Sequence, residues 1–172
     1  MPQRYSRGDR SVELYLIRHA EALALGEPGI TSDAERPLSE TGESQSQAAA
    51  LALQAKGVVL DKLFTSPLLR ARQTAEILVR VWARPELLLE TCALLAPGGK
   101  PRKLSKFIAK STGAKIGLVG HMPDLADYAA WLIGDKTAQI EIAKAGVAVV
   151  TCDDTPGKGL GSLQWLVSPD WY

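Results

Sequence analysis

The chain has 172 residues, with 20 Lys and Arg against 19 Asp and Glu and a formal net charge of +1 at pH 7. That length suits one domain with a hydrophobic core and is short for two. The near-neutral balance excludes a general electrostatic pull toward nucleic acid or anionic membranes, so any strong positive field must be local.

Residues 1–12 read as a polar, Arg-bearing flexible leader with no apolar run behind it, neither signal peptide nor anchor, which places the protein in the cytoplasm by default. The single domain is expected over residues 13–172. Val12-Glu13-Leu14-Tyr15-Leu16-Ile17 is rich in strand formers and stops at Arg18-His19-Ala20-Glu21. A polar loop runs to Arg36-Pro37, and Ser39 is the expected N-cap of a helix ending near Gly57, with Ala48, Leu51, Ala52 and Ala55 as its apolar stripe. Leu60 to Thr65 predicts a second strand. Ser66-Pro67 reads as an N-cap followed by proline at the first helical position, opening a helix over Leu68 to Trp82. Arg84-Pro85 breaks it, Glu86 to Leu89 is the expected third strand, and Gly98-Gly99 leads into a helix around Leu104 to Lys110. Lys115 to Gly120 is the next strand and ends in His121. Pro123 opens a helix with Leu125, Tyr128, Ala129 and Leu132 inward. Gly146 to Cys152 and Ser162 to Val167 read as a hairpin across Pro156-Gly157-Lys158-Gly159, making the last strand antiparallel. Strands alternating with helices predict an α/β fold: a single-domain layered sandwich with a mostly parallel central sheet.

In open α/β sheets, ligands bind beyond the carboxyl ends of the strands, where helix N-termini present free N–H groups. Three such junctions here carry matching chemistry: Arg18-His19, Ser66 to Arg70, and His121. His19 and His121 are the only histidines in the chain. Two guanidiniums and two imidazoles converging on one volume suit a phosphoryl group, whose oxygens arginine's planar fork grips well. A neutral imidazole, with an ordinary pKa of about 6.5, attacks phosphorus at neutral pH without a separate base. Taken singly, each residue has a bland reading: a structural histidine, a surface cation, a helix start. Their joint placement is what points to phosphate chemistry. The residues offer no metal motif, and no cofactor is expected. Cys92 and Cys152 lack metal-ligand spacing and read as small apolar residues of a reducing compartment.

Leu16-Ile17-Arg18-His19-Ala20 resembles the first signature of the histidine phosphatase (phosphoglycerate mutase-like) superfamily. Ser66-Pro67-Leu68-Leu69-Arg70-Ala71-Arg72-Gln73-Thr74-Ala75 is similar to its second block and Val119-Gly120-His121 to its third, three ordered blocks spanning nearly the whole chain. The resemblance implies that His19 is the phosphorylated nucleophile and that Arg18, Arg70 and His121 hold the phosphate, with Arg72 on a solvated helix face. Two departures stand out. Ala20 replaces the usual glycine, and the acidic proton donor of mutases and metabolite phosphatases is missing from Cys92 to Gly99, with Leu94 near its place and Glu90 too early. A short chain without that acid and without a lid insertion is most similar to SixA-type phosphohistidine phosphatases. Expelling imidazole from a P–N bond needs less acid assistance than expelling an alkoxide. In that subgroup an arginine before the first helix lies at the pocket, and Arg36 matches it; the pocket role is favoured over the bland alternative that Arg36 merely pairs with Asp33 or Glu35.

The expectation is therefore a metal-independent phosphohistidine phosphatase acting on a phosphohistidine-bearing signalling or phosphorelay protein, with no nucleic acid or membrane partner. The alternatives are a small-molecule phosphomonoesterase of the same superfamily, with Glu90 or another carboxylate as acid, and a non-catalytic phosphate-binding module.

Overall fold

A computed structural model describes residues 11–172. It forms one six-stranded sheet in the order β3-β2-β4-β1-β5-β6. The strands are β1 (Ser11–Arg18), β2 (Lys62–Thr65), β3 (Leu89–Thr91), β4 (Lys115–Gly120), β5 (Val147–Asp153) and β6 (Gly161–Val167). The helices are α1 (Glu40–Ala55), α2 (Leu69–Trp82), α3 (Pro101–Ile108) and α4 (Asp124–Ile133). β1, β2, β3 and β4 run parallel, whereas β5 pairs antiparallel with both β1 and β6. The hairpin expected from the glycine-rich turn is present, with β5 as the reversed strand.

The continuous apolar run of β1 has a direct cause: both faces of the sheet are covered. Leu14 and Leu16 point into one core with Ile116, Leu118, Tyr128 and Leu132, while Tyr15 and Ile17 point into the other with Leu53, Leu63, Leu78 and Val119. α1 and α2 cover one face, α3 and α4 the other.

Four local expectations change. Ser11, assigned to the leader, pairs with Asp153 and opens β1 ahead of Val12, the residue at which the strand was expected to begin; the rest of the leader lies outside the described residues. β3 lies three residues later than expected, because Leu89 rather than Glu86 finds a ladder partner, Leu63. α3 begins earlier, at Pro101, and α1 presents a different stripe. Gly42, Ser46, Ala49, Ala50 and Leu53 face inward, and Leu51 is 56% exposed. α1 carries alanine on several faces, so apolarity alone does not orient it; a close approach does. A Cβ on Gly42 would lie 1.9 Å from the carbonyl oxygen of Glu21. The first turn of α1 therefore rests on the backbone just after His19, and Ser39 caps it, accepting the Gly42 N–H at 3.1 Å.

Candidate active site

The central strands β2, β4 and β1 end together, and the three sequence blocks meet at their carboxyl ends. The ladder extends one residue past β1, with His19 N–H donating to Gly120 at 3.0 Å. This puts the His19 and His121 rings 5.0 Å apart, centroid to centroid.

The orientation of His19 is set locally. Its Nδ1 lies 2.7 Å from the carbonyl oxygen of Ala20. A carbonyl can only accept, so the proton sits on Nδ1 and Nε2 keeps its lone pair. Arg70 Nε points at that nitrogen from 3.3 Å. Ala20 is fixed in turn, its N–H donating to Thr74 Oγ1 at 3.2 Å, while that hydroxyl donates to the Arg70 carbonyl at 2.8 Å. Thr74, one turn after Arg70 on α2, thus ties the loop after His19 to the arginine's helix. The Ala20 methyl is fully buried among Leu38, Ala49, Ile77 and Ala145, so the replacement of glycine here fills core rather than crowding the site.

Burial pushes the His19 imidazole down to about 4; the neighbouring Arg70, Arg18 and Arg36 charges push the same way, against the Ala20 hydrogen bond. Burial, the other imidazole and the Arg70 charge hold His121 at about 3. Both rings are therefore neutral at pH 7.

His121 is 3% exposed and its Nε2 lies 2.7 Å from Ser66 Oγ. Sequence pattern made Ser66 a helix cap. Instead α2 starts at Leu69 with no side-chain cap, and Ser66 Oγ accepts the Leu68 N–H at 3.3 Å. In the tautomer where that hydroxyl donates its proton to His121 Nε2, the ring proton sits on Nδ1. That Nδ1 and Arg18 Nε are the buried side-chain polar atoms without a hydrogen-bond partner among the described residues. Orphaned donors are rare in folded proteins, and two in one site mark a place for a hydrogen-bond acceptor. Arg18 is otherwise held by Nη1 donating to the Ile142 carbonyl at 2.9 Å, and desolvation lowers its pKa.

Arg70 is 5% exposed and its outer edge is clamped by a residue that local pattern did not single out. Nη1 donates to the Asp33 carbonyl at 2.7 Å and Nη2 to the Asp33 carboxylate at 3.1 Å. The other carboxylate oxygen takes Arg36 Nη1 at 3.0 Å, and Arg36 Nε donates to the Leu23 carbonyl at 2.6 Å. Asp33 is held below the usual carboxylate range, chiefly by the Arg36 hydrogen bond and also by Arg70. Arg36 therefore does pair with Asp33, and through Asp33 it joins the Arg70 cluster. Arg72 is exposed. Glu90 is occupied elsewhere, pairing with Lys62 at 3.3 Å across the β2–β3 edge. Leu94 lines a small pocket with His121, Lys100 and Asp124, so an apolar side chain stands beside the second histidine. No group of three or more His, Cys, Asp or Glu side chains among the described residues is placed to hold a metal ion.

Chemically, the arrangement offers an aimed imidazole lone pair surrounded by cationic and neutral donors, which suits attack on an electrophile carrying anionic oxygens. The sequence profile of the histidine phosphatase superfamily (branch 1) matches residues 14–91. An uncharacterized protein of Picosynechococcus sp. is 37% identical over 143 residues, covering 79% of this chain and 82% of that protein. The phosphohistidine phosphatase SixA of Escherichia coli is 27% identical over 161 residues, covering 92% of this chain and 94% of that protein. The solved structure of the protein histidine phosphatase SixA complexed with tungstate aligns with a TM-score of 0.79 at 26% identity, covering 92% of this chain and 98% of that one.

Proposed function

The chain belongs to the histidine phosphatase superfamily (branch 1), and from that premise we propose that it is a phosphohistidine phosphatase, taking the phosphoryl group of a phosphohistidine-bearing signalling or phosphorelay protein onto His19. The observation that carries the chemistry is the His19 Nε2 lone pair facing Arg70 Nε at 3.3 Å, with the unpartnered nitrogens Arg18 Nε and His121 Nδ1 in the same site. The likeness to SixA, one of whose structures holds the oxyanion tungstate, supports the same substrate class.

In the first step Nε2 attacks phosphorus. The substrate's P–N bond breaks and its electron pair stays on the departing nitrogen; with the other nitrogen of that ring already protonated, the substrate leaves as neutral imidazole. Arg18, Arg70 and Arg36 neutralise the phosphoryl oxygens, and His121 donates its Nδ1 proton as a hydrogen bond to one of them. In the second step water attacks phospho-His19, the new P–N bond breaks with its pair returning to Nε2, and orthophosphate leaves. A neutral imidazole leaving group suits a site in which Glu90 is tied to Lys62 and Leu94 stands beside His121.

The test is transfer of radiolabel from a phosphohistidine protein. Wild type should acquire an acid-labile label and release phosphate, and His19→Ala should do neither. Label retained in His19→Ala would overturn the nucleophile assignment. A kcat/KM for sugar phosphates above that for phosphohistidine proteins would favour the small-molecule reading.

A further inference from the structure

Outside the site, the largest unexplained feature is a strip of positive charge. Lys100, Arg102, Lys103, Lys106 and Lys110, all exposed, lie on α3 and its flanks, and exposed Lys158 faces α3 across an open groove. None of these six cations takes part in an ion pair among the described residues; the pairs present engage Arg36, Lys62, Arg70, Arg84, Lys115 and Lys144 instead. The groove is lined by Arg102, Lys106, Trp131, Thr155 and Lys158 among others, and no carboxylate lines it. The acids on adjoining elements include Asp124, whose carboxylate accepts the Gly98 N–H, and the exposed Asp127, Asp153 and Asp154. In a chain of net charge +1, this local excess means that the remainder is net acidic.

The strip is continuous with the site, because Lys100 and Pro101 line one pocket with His121. From there the eight residues of α3 extend the charge by about 12 Å, at about 1.5 Å per residue. Trp131 is stacked on Tyr128, 6.2 Å between centroids, so one ring face is covered, unlike an open base-stacking platform.

We propose that the α3 strip and its groove are the docking surface for an acidic face of the phosphoprotein substrate, which orients the phosphohistidine toward His19. This rests on the phosphohistidine phosphatase activity proposed above. Such a surface raises encounter rates and selects partners through complementary charge, and its effect weakens with salt. It also gives an open site a means of recognising a protein rather than a small phosphate ester.

Two fluorescein-labelled peptides test the surface, each carrying one phosphohistidine. In one it is flanked by six Asp and Glu residues, about 20 Å of extended chain and enough to span the strip; in the other the flank is Ser and Gln. Fluorescence anisotropy with His19→Ala protein, which holds the peptide without turnover, should show the acidic peptide bound roughly tenfold tighter at low salt. Adding K103E/K106E should abolish that preference, and adding R72E/R80E on α2, the same charge change on another face, should leave it intact. With His19 in place, K103E/K106E should turn over p-nitrophenyl phosphate at the wild-type rate, showing an intact fold and site. Equal affinity for the two peptides, or equal loss in both charge variants, would overturn the docking surface. The proposed activity fails separately, if wild type hydrolyses p-nitrophenyl phosphate but neither phosphohistidine peptide; anisotropy reads docking in either case.

Discussion

The two histidines should titrate far below an ordinary imidazole, and the chain allows this to be read directly. His19 and His121 are its only histidines, so the Cε1–Hε1 region of a proton–carbon correlation spectrum holds two imidazole signals. Burial and the surrounding arginines hold His19 at about 4, and burial with its neighbours' charges holds His121 at about 3. At pH 5.5 an imidazole of pKa 6.5 is about 10% neutral, whereas one at about 4 is about 97% neutral. Lowering the pH from 8 to 5.5 should therefore leave both signals at their neutral positions. Long-range nitrogen spectra should show His19 protonated on Nδ1, as its bond to Ala20 requires. Acid should also destabilise the fold with a defined sign. In the unfolded chain both rings take up protons near 6.5, while in the fold they stay neutral to about 4 and 3. Stability from this source is thus complete above pH 6.5 and falls progressively as the pH drops toward those lower values. Substituting Arg70 with Met removes one of the charges holding His19 down, so its signal should then move toward titration at higher pH. If either ring of the wild-type protein titrates near 6.5, the site is wetter than the geometry here requires, and the case for a nucleophile kept neutral by its surroundings fails.

Three substitutions probe the supports around the histidines. Asp33→Asn keeps the backbone carbonyl that holds Arg70 but removes the carboxylate that competes with phosphate for Arg70 and Arg36. A half-exposed pair of this kind contributes up to about 1 kcal/mol; orthophosphate inhibition should therefore tighten by up to about fivefold while kcat falls, and unchanged inhibition would show that the clamp is idle. Ser66→Ala removes the partner of a buried ring nitrogen, at an expected cost of about 1–3 kcal/mol in denaturant unfolding, and nitrogen spectra should show the His121 proton redistributed between its two nitrogens. Gly42→Ala places a methyl 1.9 Å from the Glu21 carbonyl oxygen, so α1 or the loop after His19 must shift by more than 1 Å. Overpacking of about 1–3 kcal/mol, at about 2–4 °C per kcal/mol for a domain of this size, predicts a Tm lowered by about 2–12 °C together with reduced kcat; a Tm within a degree of wild type would refute the close approach.

Much of this architecture was legible because its signals are local. An apolar run that stops at Arg18-His19 is a buried strand delivering polar residues to a sheet edge, and the same holds for Val119-Gly120-His121. What sequence could not supply was contact between distant segments. Asp33 and Arg70 are 37 residues apart, and nothing in Ser32-Asp33-Ala34 marks its carboxylate as a clamp for a helix not yet begun. Ser66 looked like a cap because Ser-Pro commonly is one, but a buried imidazole 55 residues further along claims its hydroxyl. Thr74 had no signal beyond its place in the second block. β3 was misplaced because it is a three-residue edge strand, largely exposed, with no alternation to read. The stripe of α1 was misread because small residues leave orientation to packing, decided here by the glycine against Glu21.

The sheet order carries a consequence for how the protein becomes active. His19 and His121 directly follow β1 and β4, neighbours in the sheet but about a hundred residues apart in the chain, with Arg70 arriving from beyond β2. Closing that span is a slow, non-local event, in contrast to forming α1 or the β5–β6 hairpin. A chain still emerging during synthesis can therefore own His19 and Arg18 for some time without owning an active site. The site is complete only once β4 holds its place between β1 and β2.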